Sequence, residues 1–122
     1  KEDAYGYVVD NETVALCGYN VDIHSGTADH IDLYKLEKAF GLPFGCMVPV
    51  YIDNLVLSGR ILDMDTTVFA AARVMGPLMA MGEAGGIAAA WCAKKGTCLR
   101  DVDIARLRET LIERGAILEV NG

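Results

Sequence analysis

The sequence contains no cluster of lysine or arginine residues. Its 122 residues include 11 basic and 17 acidic side chains, which give a formal net charge of −6. A surface that follows a phosphate backbone or an anionic membrane needs concentrated positive charge. We therefore expect neither nucleic acid nor a membrane among the partners of this protein.

Three further features are absent. No C-x-x-C pair occurs among the four cysteines, and none has zinc-like spacing beside His24 or His30, so we expect reduced thiols and no metal site. The opening stretch KEDAYGYVVD is charged and has no apolar core, unlike a signal peptide. The apolar run 74–93 is interrupted by Glu83 and diluted by glycine, which favours a buried helix over a membrane span. These absences predict a cytoplasmic protein.

Apolar residues, by contrast, are abundant. They make up 52% of the chain, and the mean hydropathy is +0.27. The length suits one modest domain or part of a larger one. Because the chain carries more apolar surface than it can bury by itself, we expect residues 1–122 to form a single segment of a longer protein, or one subunit of a homo-oligomer.

Apolar patterning predicts strands in the first half of the chain. The predicted strands are YGYVV (5–9), TVALCGYNVDIH (13–24) with a kink or bulge at Gly18, and two strands within FGCMVPVYIDNLVLSGR (44–60) around a turn at IDN. The second of those two, NLVLSG (54–59), is continuous and apolar, as in a buried strand. The segment IDLYKLEKAFG (31–41) fits either one or two helical turns or a strand.

The second half of the chain is helical in pattern. A short C-terminal helix is predicted from an N-cap at Asp103 to a stop at Gly115. A long Gly/Ala-rich helix is expected to end near Lys94, Lys95 and Gly96, where cations and a capping glycine are favoured. The fold class is therefore α/β or α+β: a small sheet with one long helix and one short one.

The start of the long helix, RVMGPLMAMGEAGGIAAA (73–90), accepts several glycines although each costs about 1 kcal/mol relative to alanine. Pro77 fits the first helical position, which leaves the amides of Leu78 and Met79 without helical partners. With the adjacent Arg73, these amides form a positive helix start that fits an anion or a carbonyl oxygen.

A stripe of small residues follows along the same helix. Gly82, Gly86 and Ala90 recur every four residues and therefore share one face. Such a face lets a flat ligand or another backbone approach closely. It also fits tight packing of the helix on a sheet with no ligand involved.

These segments resemble a known family. IDNLVLSGR followed by ARVMGPLMAMGEAGGIAAA resembles the C-terminal flavin-binding segment of FAD-dependent oxidoreductases, in the broad group distantly similar to fumarate reductase and succinate dehydrogenase flavoproteins. VALCGYNVDIHSG, LPFGCMVPVYIDNL and LRDVDIARLRETLIERGAIL extend the resemblance over most of the chain. It implies FAD as the cofactor and a chain that is part of a larger FAD-binding fold.

The resemblance also implies roles for individual residues. The backbone at Gly59 would pass the ribityl or pyrophosphate region, and Arg60 would either meet a phosphate or lie on the surface. The flavin's pyrimidine side would be lined by Arg73, Val74, Met75 and Gly76. His24, in DIHSG, would either be the catalytic residue that exchanges a proton over the flavin or touches the substrate, with Asp22 placed to orient its ring, or would only bond loop backbone.

One family feature is missing from the sequence. The G-x-G-x-x-G fingerprint that holds the ADP half of FAD does not occur here. The chain is therefore expected to be the last part of a longer flavoenzyme, to need the remainder of that flavoprotein as a partner, and to retain FAD poorly alone.

Two functions follow from the sequence. The first is the flavin-contacting part of an oxidoreductase that transfers hydride between a small organic substrate and FAD. The alternative is a non-catalytic structural or assembly module, in which the small-residue face of the long helix packs against another copy or another chain.

Overall fold

The computed structural model describes residues 6–24 and 31–120. Four strands are followed by three helices, which confirms an α+β fold. The strands are β1 (Thr13–Cys17), β2 (Val21–His24), β3 (Ile31–Tyr34) and β4 (Phe40–Pro43), and the helices are α1 (Thr66–Ala72), α2 (Met75–Lys95) and α3 (Ile104–Glu113). Short 3-10 turns cover Phe44–Met47 and Leu99–Asp101.

The strands form two separate antiparallel pairs. β1 pairs with β4, and β2 pairs with β3, so that His24 lies opposite Ile31. The segment 13–24, predicted as one kinked strand, is therefore two strands in different sheets, because the chain turns away from β4 after Cys17. Of the two alternatives for residues 31–41, the strand is confirmed.

The predicted strands at 5–9 and within 44–60 are wrong for the described residues. Residues 6–9 form a turn followed by irregular chain, and residue 5 lies outside the described part. Residues 48–59 contain no strand. Leu57 donates its amide to the carbonyl of Met47 at 2.8 Å, but no neighbouring strand continues the ladder. The apolar pattern of NLVLSG predicts burial, and Val56 and Leu57 are half-buried.

The C-cap of α2 and the N-cap of α3 lie where the sequence predicts them. Gly96 caps α2 in the left-handed conformation, with φ at 65°, and Lys94 and Lys95 occupy the last turn. The Asp103 carboxylate accepts the amide of Arg106 at the start of α3. The start of α2 differs from the prediction, because the helix begins at Met75, two residues before Pro77.

The core lies between β1, β4 and the helices. α2 packs against β1 and α3, and α3 also packs against β1. An Arg108 side chain from α3 donates to the Thr13 carbonyl of β1, and Arg114 pairs with Glu83 of α2 at 2.7 Å. No helix within the described part of the chain is long and apolar enough to span a membrane.

The buried face of α2 is not the predicted stripe of small residues. Met81, Ala84, Gly85, Ala88 and Cys92 face the core, whereas Gly82, Gly86 and Ala90 are exposed. A Cβ on Gly85 would lie 2.8 Å from Cε of Met47 and 3.3 Å from a methyl carbon of Val56, but a Cβ on Gly86 would have no neighbour within 4 Å. Of the glycines on α2, Gly85 is therefore the one approached most closely by its neighbours.

We expect Gly85→Leu to lower the free energy of unfolding by about 1–3 kcal/mol, because overpacking a filled core has this cost. The matched control is Gly86→Leu on the next residue of the same helix, where the side chain enters open space. Urea unfolding of both variants measures the difference. Equal stability of the two variants would contradict the packing seen at Gly85.

Candidate functional site

A carboxylate on β2 connects two of the predicted site residues. Oδ2 of Asp22 lies 3.2 Å from Nε2 of His24 and 3.8 Å from a terminal nitrogen of Arg73. The same Arg73 nitrogen donates to the backbone carbonyl of Asp22 at 3.0 Å. The side chain of Asp22 is 21% exposed, that of His24 is 57% exposed and that of Arg73 is 33% exposed. The cluster is therefore half-sheltered and open to solvent on the histidine side.

Local structure explains why these residues meet. Along a strand, alternate side chains share a face, so Asp22 and His24 lie side by side at the end of β2. Helix α1 packs against β2, and its N-cap is Asp65, whose carboxylate accepts the amides of Thr67 and Val68. Arg73 is the C-cap residue of α1. Its side chain thereby reaches back to β2.

A second arginine, Arg60, contacts the junction between α1 and α2 at Arg73 and Val74. Nε of Arg60 donates to the backbone carbonyl of Arg73 at 3.0 Å. The preceding residue, Gly59, has φ at 97°, in the left-handed region that strongly favours glycine, and a Cβ there would have no neighbour within 4 Å. Arg60 therefore supports the link between α1 and α2, in addition to the two roles considered from the sequence.

The start of α2 lies directly after this junction. Val74 is its N-cap, and its side chain provides no capping hydrogen bond. In helix geometry the Leu78 amide bonds the Val74 carbonyl, so the unpaired amides belong to Met75 and Gly76 rather than to Leu78 and Met79. Met75 is 73% exposed, and Gly76 is exposed with no atom near its Cβ position.

The corner formed by Arg73 and the N-terminus of α2 contains two sources of positive charge. The N-terminus of α2 carries partial positive charge, and Arg73 lies two residues before Met75 in the chain, with its guanidinium bonded to Asp22 of β2. The amides of Met75 and Gly76 are donors without helical partners, and Gly59 and Gly76 have free space around them. Such donors suit a polar acceptor on a flat ligand. The sequence offers no glycine loop for a diphosphate.

Other features of the described residues do not join this cluster. A cavity of about 520 Å³ at the C-terminal half of α2 is lined by Ala89, Ala93 and Cys98, among others, and includes none of the predicted site residues. Burial raises the pKa of the Cys17 and Cys46 thiols, so neither is a ready nucleophile at neutral pH. Residues 6–24 and 31–120 contain no group of three side chains arranged to hold a metal ion.

The structure thus unites most of the predicted site. His24, Arg60 and Arg73 are joined through hydrogen bonds and the Asp22 carboxylate, and Val74, Met75 and Gly76 follow Arg73 directly. The sequence indicated Asp22 as a partner of His24 but not of Arg73. No local pattern could have shown that link, since the two residues lie 51 positions apart. His30 lies outside the described residues.

The chain matches one known protein family. Residues 3–111 match the family described as FAD dependent oxidoreductase. No curated protein and no solved structure matches the chain significantly. The likeness to fumarate reductase and succinate dehydrogenase flavoproteins stays a prediction. Because the family match covers most of the chain, the protein belongs to the FAD-dependent oxidoreductases, whose cofactor is FAD.

Proposed function

We propose that this chain is the C-terminal, flavin-contacting part of an oxidoreductase that transfers hydride between a small organic substrate and FAD. The observation that carries the proposal is the positive corner formed by the α2 N-terminus and Arg73, which β2 holds in place through Asp22. When bound, FAD supplies the redox chemistry and becomes more negative on its pyrimidine ring when reduced. The side chains and backbone amides of this chain bind the cofactor, orient it and handle protons.

The positive corner would stabilise that negative charge. The amides of Met75 and Gly76 are unpaired in the helix, and the Arg73 guanidinium is only one-third exposed, so water screens it incompletely. Fixed donors of this kind need no rearrangement when charge develops. Val74 and Met75 would add apolar contact beside these donors.

His24 would handle protons at the same site. Its imidazole is the most exposed member of the cluster and is hydrogen-bonded on one nitrogen to Asp22. A carboxylate partner fixes the ring orientation and leaves the other nitrogen free to exchange a proton with substrate. We assign His24 the role of general acid or base.

The remainder of the flavoprotein would cover the exposed apolar surface and supply the diphosphate loop. Tyr51 is 95% exposed, Val50 is 70% exposed, and Met75 and Met79 are each 73% exposed. A contiguous exposed apolar patch is a common mark of an interaction surface. The open face of Gly82 and Gly86 on α2 also suits the alternative role in assembly, with the same flavoprotein as its partner.

We expect Arg73→Met to lower the flavin midpoint potential by about 30–60 mV in the full-length, FAD-loaded flavoprotein. A charge-assisted hydrogen bond is worth about 1.5–3 kcal/mol, and about 30 mV corresponds to 1.4 kcal/mol for a two-electron couple. The reduced form loses a cationic neighbour, so reduction becomes less favourable. Spectroelectrochemical titration measures both potentials.

The matched control is Arg106→Met. Arg106 stacks on Trp91 at 5.2 Å, and Trp91 lies sixteen residues beyond Met75, which is about 24 Å along the helix. Charge removed there is beyond a Debye length and is expected to leave the potential unchanged. An unchanged potential in fully loaded Arg73→Met would show that Arg73 does not face the flavin.

A further inference from the structure

We propose that Asp22 is a positioning residue that acts through Arg73, setting how much positive charge the corner presents to the flavin. The inference rests on the proposed function, because it concerns the same corner. Asp22 would hold the guanidinium in place and at the same time partly neutralise it. The flavin potential of the protein would then be a balance between Arg73 and Asp22.

The contacts of Arg73 support this role. One guanidinium nitrogen bonds the backbone carbonyl of Asp22 at 3.0 Å and lies 3.8 Å from Oδ2 of its carboxylate. The backbone carbonyl alone would tether the arginine to β2. The carboxylate adds a negative charge next to a cation that is two-thirds sheltered, where charges interact more strongly than in water.

The other carboxylate oxygen of Asp22 contacts neither His24 nor Arg73. Oδ1 of Asp22 is buried and has no hydrogen-bond partner within the described residues. A buried acceptor without a partner is unfavourable. Asparagine would also offer His24 and Arg73 an acceptor oxygen of the same shape, so orientation alone does not require aspartate. The negative charge is the property that aspartate adds.

The sign of the effect follows from electrostatics. Removing the carboxylate charge leaves the positive charge of Arg73 uncompensated, so the reduced flavin is stabilised and the midpoint potential rises. Arg73→Met lowers the potential, and Asp22→Asn is expected to raise it. We expect reduced FAD to bind about tenfold more tightly relative to oxidised FAD, which corresponds to about 30 mV for two electrons.

The test compares midpoint potentials of the full-length, FAD-loaded flavoprotein as wild type, Asp22→Asn and Arg73→Met, with affinities for oxidised FAD measured separately. Asp53→Asn is the matched control, because Asp53 pairs with a different arginine, Arg100, at 3.3 Å. Its potential should equal that of the wild type. If Asp22→Asn does not retain FAD, Asp22→Ser, also neutral and smaller, is expected to give the same rise.

The outcomes separate this inference from the proposed function. A rise in Asp22→Asn or Asp22→Ser together with a fall in Arg73→Met supports both. An unchanged or lower potential in the neutral Asp22 variants, with a fall in Arg73→Met, overturns the role of Asp22 and leaves the proposed function standing. No change in Arg73→Met overturns the proposed function itself.

Discussion

Replacement of Gly41 with alanine is expected to lower the free energy of unfolding by about 2–4 kcal/mol, which combines overpacking with one lost hydrogen bond. Gly41 lies in β4, where a Cβ would be 2.2 Å from Oγ1 of Thr13 and 2.8 Å from its methyl carbon. Thr13 is 1% exposed. Its hydroxyl accepts the amide of Asp10 and donates to the Asp10 carboxylate, both at 3.1 Å. Thr13 therefore cannot turn aside without losing these bonds.

The pairing of β1 with β4 makes this the tightest glycine position in the described chain. Gly18→Ala is the matched control, since its Cβ would meet Cβ of Ala39 at 3.5 Å, an ordinary contact. Urea unfolding of both variants measures the effect. The double variant Gly41→Ala with Thr13→Ala should be less destabilised than the sum of the two single variants, because the obstructing atoms are gone. Additive losses, or a Gly41→Ala variant as stable as Gly18→Ala, would show that this contact is not made.

The helices were predictable because their signals are local. The α2 stop at Gly96 and the α3 cap at Asp103 depend on single residues whose side chain or left-handed backbone satisfies nearby groups. The start of α2 was misplaced by two residues, because Pro77 tolerates the third helical position as well as the first. Its missing amide would be unpaired in either place.

The strands were less predictable because a strand forms only when it pairs with another strand, and the sequence of one strand does not show which segment that is. NLVLSG has the composition of a buried strand, yet within the described residues it has one backbone bond, from Leu57 to Met47, and no adjacent edge. Periodicity likewise could not show that β1 and β2 separate into two sheets. Those sheets are determined by pairing with β4 and β3, which lie farther along the chain.

For the site, sequence patterns indicated the residue types but not their connections. The D-I-H alternation placed Asp22 beside His24, and the R-V-M-G-P stretch placed Arg73 at a helix start. Their meeting depends on α1 packing against β2, which is a tertiary contact. The stripe of Gly82 and Gly86 was correctly read as one helix face. Which face of α2 becomes buried depends on its neighbours in the fold. Met47 and Val56 pack beside Gly85, so the buried face contains Gly85 rather than Gly82 and Gly86.

His24→Gln is expected to reduce the rate of flavin reduction by substrate about 10²–10⁴-fold, the usual contribution of a general acid or base. Glutamine keeps a hydrogen bond to Asp22 but cannot exchange a proton near neutral pH. Because the His24 side chain is 57% exposed, its loss should change stability by less than about 0.5 kcal/mol. FAD content and the flavin potential should also remain near the wild-type values, since the positive corner is intact.

Stopped-flow measurement of flavin bleaching under anaerobic conditions, with a panel of small organic reductants, provides the rates. His30→Gln, a change at the chain's other histidine, is measured in parallel. A slow His24→Gln variant with full FAD content and a normal potential assigns His24 to proton transfer. A rate within twofold of the wild type for every reductant that reacts would remove His24 from the chemistry and leave it as a partner of Asp22 only.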